Sequence, residues 1–214
     1  MRFLLPLLLC LFTLSCSQLY YASMEKLGKE KRDILVQRVL DGKKDQEKAK
    51  EQIKTTLEAF QELTGFDGGN LEKVYKKLNS ECEEAEERAA DVTKRIASID
   101  QVGKDLFSEW EKEIGAMSNR ELKLSSQKLL RDTRLRHGQY LRRMRASERK
   151  MQPVLKVFRD QVTFLKHNLN AKAIGSLKTT SAKLDEEVTA LVTDLEGSIA
   201  EADSFIKSLT EGNS

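Results

Sequence analysis

The sequence predicts an all-α protein, an elongated antiparallel bundle or coiled coil of four long helices, and three observations carry that expectation. Charged residues make up 33% of the chain and aromatics only 6%, while the net charge is just +3 at pH 7. Such a composition favours long solvated helices over a compact globule. Apolar residues recur at alternating steps of three and four through four successive segments, the period of a helical seam and not of a strand. Finally, the chain has two prolines, Pro6 and Pro153, so little interrupts a long helix.

The chain opens with a leader. Arg2 precedes an uncharged run from Phe3 to Leu14, shorter than the roughly 20 residues a membrane-spanning helix needs. A basic start, a short apolar core and the small Ser15 before Cys16 describe a secretory signal. Thr13, Leu14, Ser15 and Cys16 resemble the bacterial lipoprotein signal, with its leucine one place late. Cleavage before Cys16 leaves that residue to carry the acyl chains, palmitate among them, which would hold the protein on a membrane. Ser17, and not Asp, after the cysteine points to the inner face of the outer membrane. The expected organisation is a signal peptide over 1–15, a lipidated tether over 16–21, a single helical coiled-coil domain over 22–211 and a tail over 212–214.

The first helical segment runs from about Tyr20 to Leu63. Its seam reads Leu35, Val39, Gly42, Gln46, Ala49, Ile53, Thr56, Phe60 and Leu63, weak in its middle. "TGFDGGN" ends it with glycines for turn conformations and Asn70 as the next cap. The second seam reads Leu71, Val74, Leu78, Cys82, Ala85, Ala89, Val92, Ile96, Ile99, Gly103, Leu106, Trp110 and Met117. Cys82, the thiol left free after lipidation, falls on this stripe with no second cysteine or neighbouring histidine and reads as a small core residue.

Ser118 and Glu121 have capping-box spacing and predict the third start. That segment follows Leu122, Ser126, Leu129, Thr133, His137, Tyr140, Met144, Met151, Leu155, Phe158, Val162 and Leu165, with Pro153 inside it as a kink or local irregularity. Asn168 or Asn170 is the expected cap at its end. The fourth seam, Ile174, Leu177, Ser181, Leu184, Val188, Leu191, Leu195, Ser198, Ala202, Phe205 and Leu209, is the most regular and implies left-handed supercoiling. If residues 168–172 do not turn, three helices replace four. Segments of roughly 40 to 50 residues make rods of about 60 to 75 Å, and short loops between rods of equal length place neighbours antiparallel.

Two charge runs stand out. Residues 81–91 hold six acids and one arginine, and residues 131–150 hold eight lysines or arginines and two acids. Reflection about Ser118 sets the acidic run beside Arg145, Arg149 and Lys150. It leaves Arg131, Arg134, Arg136, Arg142 and Arg143 against a stretch that does not neutralise them. These five arginines are the candidate surface for an anionic partner: a phospholipid headgroup, an envelope glycan or an acidic protein. Nucleic acid is not expected for an exported chain, and self-association is open to a coiled coil.

No catalytic, cofactor or metal site is predicted. His137 lies on the core stripe and His167 off it. There is no His-x-x-x-His, no Cys-x-x-Cys and no glycine-rich phosphate loop, and "GFDGGN" has too few oxygens for calcium.

The stretches "YYASMEKLGKEKRDILVQRV", "FDGGNLEKVYKKLN", "LFSEWEKEI" and "FRDQVTFLKHNLNAKAIGSL" resemble a family of bacterial envelope lipoproteins, mostly proteobacterial, catalogued as a domain of unknown function. The resemblance covers nearly the whole mature chain. It implies a helical exported lipoprotein and brings no catalytic residue, substrate or partner. The expected function is therefore a non-enzymatic, membrane-tethered spacer, scaffold or adaptor for an envelope partner. The alternative is a membrane-remodelling or envelope-stress coiled coil that self-assembles on anionic lipid.

Overall fold

A computed structural model of the protein describes residues 30–211. The leader over 1–15, Cys16, the tether, the predicted start of the first segment at Tyr20 and the tail over 212–214 lie outside the described residues. Within them the chain is all-α, with five helices packed together and no strand: α1 (Lys31–Thr64), α2 (Leu71–Ala116), α3 (Arg120–His167), α4 (Ala171–Ser176) and α5 (Lys178–Glu211).

The helix ends follow from local chemistry. The Gly65 N–H bonds back to the Gln61 carbonyl at 2.9 Å and closes α1. Gly69 then takes φ +106°, a left-handed conformation open to glycine at little cost. Asn70 caps α2 by accepting from the Lys73 N–H at 3.0 Å. At the next turn the capping residue is Asn119, not Ser118; its side chain accepts from the N–H groups of Glu121 and Leu122. The first helical residue is Arg120, so the capping-box spacing at Ser118 falls one position early. Both asparagines at the following break are used. Asn168 ends α3, its side chain donating to the Phe164 carbonyl at 3.0 Å. Asn170 starts the short α4 by accepting from the Ala173 N–H. Helix α3 continues through Pro153, where the carbonyl four residues earlier loses its usual donor.

Helix α1 packs on α2 and α5, and α3 packs on the same two. Named contacts give the registers. Lys31 meets Glu109 and Arg95 meets Asp45, so residue numbers rise along α1 as they fall along α2. The same opposition holds for Arg159–Glu86 and Arg134–Glu111 between α3 and α2, and for Lys43–Asp203 and Gln61–Asp185 between α1 and α5. Across the centre, Phe60 of α1 meets Phe158 of α3 edge-on at 6.1 Å.

Every residue predicted for the α1 seam is buried, the weak middle included. At Gln46 the seam becomes a polar layer. Its Nε2 donates to Ser198 Oγ at 2.8 Å and to Ser147 Oγ at 3.4 Å, while its buried Oε1 has no partner among the described residues. Two predictions fail at one end. Leu122 is 63% exposed and Leu129 39%, although the periodicity assigned both to the core. Among the described residues, no helix covers the end of the stripe they continue. There a small separate cluster of Phe107, Ile114 and Leu130 forms, with Leu106, Trp110 and Met117 half-buried on its edge.

Candidate functional site

The basic stretch of α3 divides over three sides of the helix. Arg131 and Arg142, about three turns apart, share one face; both are exposed, and neither makes an ion pair among the described residues. Arg136 is likewise exposed and unpaired among them. Arg134 leans on α2, where Nη1 bonds Glu111 Oε1 at 2.9 Å and the guanidinium sits 5.2 Å over the Phe107 ring. That hydrogen bond holds the Glu111 carboxyl below its usual value. Arg143 lies on the other flank across Gly197 of α5, where a Cβ would stand 3.4 Å from its Nη2. The five candidate arginines are thus not one continuous surface.

The reflected charge pairing is also corrected. Arg145 bonds Asp100 at 2.8 Å, Lys150 pairs with Asp194 of α5, and the acidic run reaches Arg159, which grips Glu86 through two nitrogens. Side chains lean toward the N-terminus of their own helix. In an antiparallel pair both partners therefore come from further along their chains than the backbone reflection suggests.

Between α2 and α3 these groups form a groove lined by Asp100, Lys104, Glu111, Arg134, Arg142 and Arg145, with His137 on its floor. Asp100 takes bonds from both Lys104 and Arg145. Of the groove's cations, Arg142 alone has no carboxylate partner among the described residues. His137 is 5% exposed, its Nε2 3.4 Å from the Ile99 carbonyl. Phe107 stands edge-on to it at 5.2 Å and Phe205 lies tilted at 5.7 Å. Burial lowers its pKa, with the Ile99 contact and Asp100 opposing and Arg145 and Lys104 reinforcing. A neutral imidazole in such a wall is a packing group. Next to it Tyr140 stacks on Phe205, and its buried hydroxyl has no hydrogen-bond partner among the described residues. Desolvation raises the Cys82 thiol to about 12, far from the range in which thiolates act at neutral pH. Among the described residues no group of three or more His, Cys, Asp or Glu could hold a metal ion.

A family model described as a protein of unknown function, DUF2959, matches residues 20–209. The chain belongs to the DUF2959 family. No curated protein and no solved structure matches it. The match bears out the family resemblance read from the sequence, and it takes in nearly the whole helical region of the DUF2959 chain, all five arginines and His137. No described helix of the DUF2959 chain is long and apolar enough to cross a membrane. Sequence reasoning missed the Asp100–Lys104–Arg145 cluster and the sharing of Phe107 between Arg134 and His137. The i,i+4 spacing of Asp100 and Lys104 was the available signal.

Proposed function

We propose that this DUF2959 protein is a non-enzymatic, membrane-tethered lipoprotein that serves as a spacer, scaffold or adaptor. Cys16 carries its anchor, and the protein stands on the periplasmic side of the outer membrane. The helices form an antiparallel four-membered bundle of α1, α2, α3 and α5, a reading supported by the opposed registers of their ion pairs. The observation that carries the functional reading is the set of exposed arginines, Arg131, Arg136 and Arg142, that no carboxylate neutralises among the described residues. Unsatisfied guanidinium groups on a rigid helix suit an anionic partner, a headgroup, a glycan or an acidic protein surface. Replacing Arg131, Arg136, Arg142 and Arg143 with Gln in cells should remove at least one crosslinked envelope partner. An unchanged crosslinking pattern would sink this reading.

A second reading has its own observation. Leu124 and Leu135, both 57% exposed, share a face with Arg131 and Arg142 by helical spacing. An outward stripe of leucine and arginine suits an anionic bilayer, as a membrane-remodelling coiled coil would require. Flotation of the mature chain without its acyl group separates the two: binding to anionic liposomes with filament formation supports the second, a free rod the first.

A further inference from the structure

Helix α3 is charged unlike the rest of the bundle. Residues 120–167 hold fourteen lysines or arginines and four acids. The two flanks of the helix use part of that charge. Arg134, Arg145 and Arg159 pair with Glu111, Asp100 and Glu86 of α2, and Lys150 pairs with Asp194 of α5. The crest is different. Leu130, His137, Met144, Met151 and Phe158 recur every seven residues and are buried, so the position two before each of them points away from the core. Those positions are Lys128, Leu135, Arg142, Arg149 and Lys156, and all five are exposed. None of the four cations makes an ion pair among the described residues. Between 128 and 156 the acids of α3, Asp132 and Glu148, fall outside the column.

The column is long, and it is partly apolar. Seven residues make about two turns, so its side chains stand about 10.5 Å apart and the whole spans about 42 Å. Leu135 sits within it at 57% exposure. Leu124 and Arg131 share the adjoining face. Every exposed large hydrophobic among the described residues (Leu122, Leu124, Leu129, Leu135 and Phe164) belongs to α3. A line of cations with leucine among them fits a surface that is flat over that length, negatively charged and oily beneath. A linear polyanion would meet the cations and leave the leucines in water. A second copy offers no matching row of acids. The equivalent outward positions of α2 read Lys76, Glu83, Ala90 and Ala97, and Glu196 and Asp203 of α5 are already held by Lys50 and Lys43 of α1.

We propose that the partner of α3 is an anionic bilayer, met along the whole column from Lys128 to Lys156. The helix lies flat on the headgroups, with Leu135 reaching between them. This rests on the anionic-partner reading above and narrows it. The contact takes in Lys128, Arg149 and Lys156, and it needs neither filaments nor the acyl anchor.

The test places the full chain on phosphatidylglycerol vesicles and, separately, on phosphatidylcholine vesicles. Any attachment through residues before 30 is common to the two, so the difference between them reports headgroup charge. Amine- and guanidine-directed modification is then read residue by residue by mass spectrometry. Lys128, Arg142, Arg149 and Lys156 should all react more slowly on phosphatidylglycerol. Lys94 and Lys183, whose side chains are each 77% exposed, should react alike on both. Arg142→Gln with Arg149→Gln should weaken the contact roughly 25-fold, at roughly fivefold per cation. Modification of Lys128 and Lys156 should then return toward the phosphatidylcholine rate, with helical circular dichroism unchanged. Slowing at Lys128 alone, with Lys156 unaffected, would overturn the flat contact in favour of the tip. Slowing without vesicles that grows with protein concentration would overturn it in favour of a second copy. Equal rates on both vesicles would overturn the bilayer as partner. The anionic-partner reading survives that last result if the arginine variants still lose an envelope crosslink, and falls with it if they do not.

Discussion

Gly103 of α2 lies directly under His137 of α3, so close that a methyl group in its place would stand 2.5 Å from the imidazole Cε1. Phe107 and Phe205 stand against two of its other sides. Overpacking of this kind costs about 1–3 kcal/mol, against about 1 kcal/mol that alanine returns in helix propensity. Gly103→Ala should therefore lower stability by up to about 2 kcal/mol, measured by the urea midpoint. In a His137→Ala background the same change should become neutral or stabilising. A Gly103→Ala penalty that persists there would refute the contact.

The same histidine gives the fold an acid-sensitive wall. Burial lowers its pKa in the folded chain below the ordinary 6.5, with Asp100 pulling upward and Arg145 and Lys104 pulling downward. As pH falls through 6.5 the unfolded chain takes up the proton first, so stability declines with falling pH until the folded value is reached. Above 6.5 the contribution is complete. The urea midpoint should drop between pH 7.5 and 5.5 in the parent chain and drop less in His137→Gln.

Most of the fold was legible because seam residues obey one period wherever long helices pack against one another. Leu35 to Leu63 and Leu184 to Leu209 were assigned to the core and are buried. The period fails at Leu122 and Leu129 because it records which residues share a face, not whether a neighbour reaches that far. Charge pairing was less legible. Reflection through a turn locates backbones, while Arg134, Arg145 and Arg159 are long side chains that lean along their helix before they meet an acid. Nor could spacing show that Arg134 would be occupied by Glu111 while Arg131 and Arg142 have no ion-pair partner among the described residues.

Gln46 tests whether the central polar layer is a stability device. Its amide links Ser198 and Ser147 across three helices, yet its Oε1 has no partner among the described residues. Gln46→Ala leaves a cavity and an unpaired Ser198 hydroxyl, so it should cost about 1–3 kcal/mol. Gln46→Met keeps the volume and removes the unsatisfied oxygen. It should lie within about 1.5 kcal/mol of the parent. Thermal melts of the two variants would separate the roles: equal losses would mean that hydrogen bonding, and not filling, holds this layer.

Cys82 should be inert while the chain is folded. It is 1% exposed, and desolvation, opposed by Arg159, raises its thiol to about 12. Maleimide labelling of the peptide carrying residue 82 should be negligible in buffer at pH 7 and rapid in denaturing urea. Rapid native labelling would show that α2 opens locally near this position.

The proposed anchor turns on a single atom, Cys16 Sγ. Leu14, Ser15 and Cys16 stand where a lipoprotein signal would be cut, and the apolar run before them is too short to span a bilayer by itself. If Cys16 carries the acyl chains, each buried methylene adds about 0.8 kcal/mol and two or more chains suffice for stable attachment. Cells fed labelled palmitate should then mark the intact protein, lose the mark in Cys16→Ala, and shift that variant out of the membrane fraction. The variant must still contain the arginine face, so retention on membranes without label would assign attachment to Arg131, Arg142 and their leucine neighbours instead. Label retained in Cys16→Ala would move the modification to another residue, with Cys10 the first to replace.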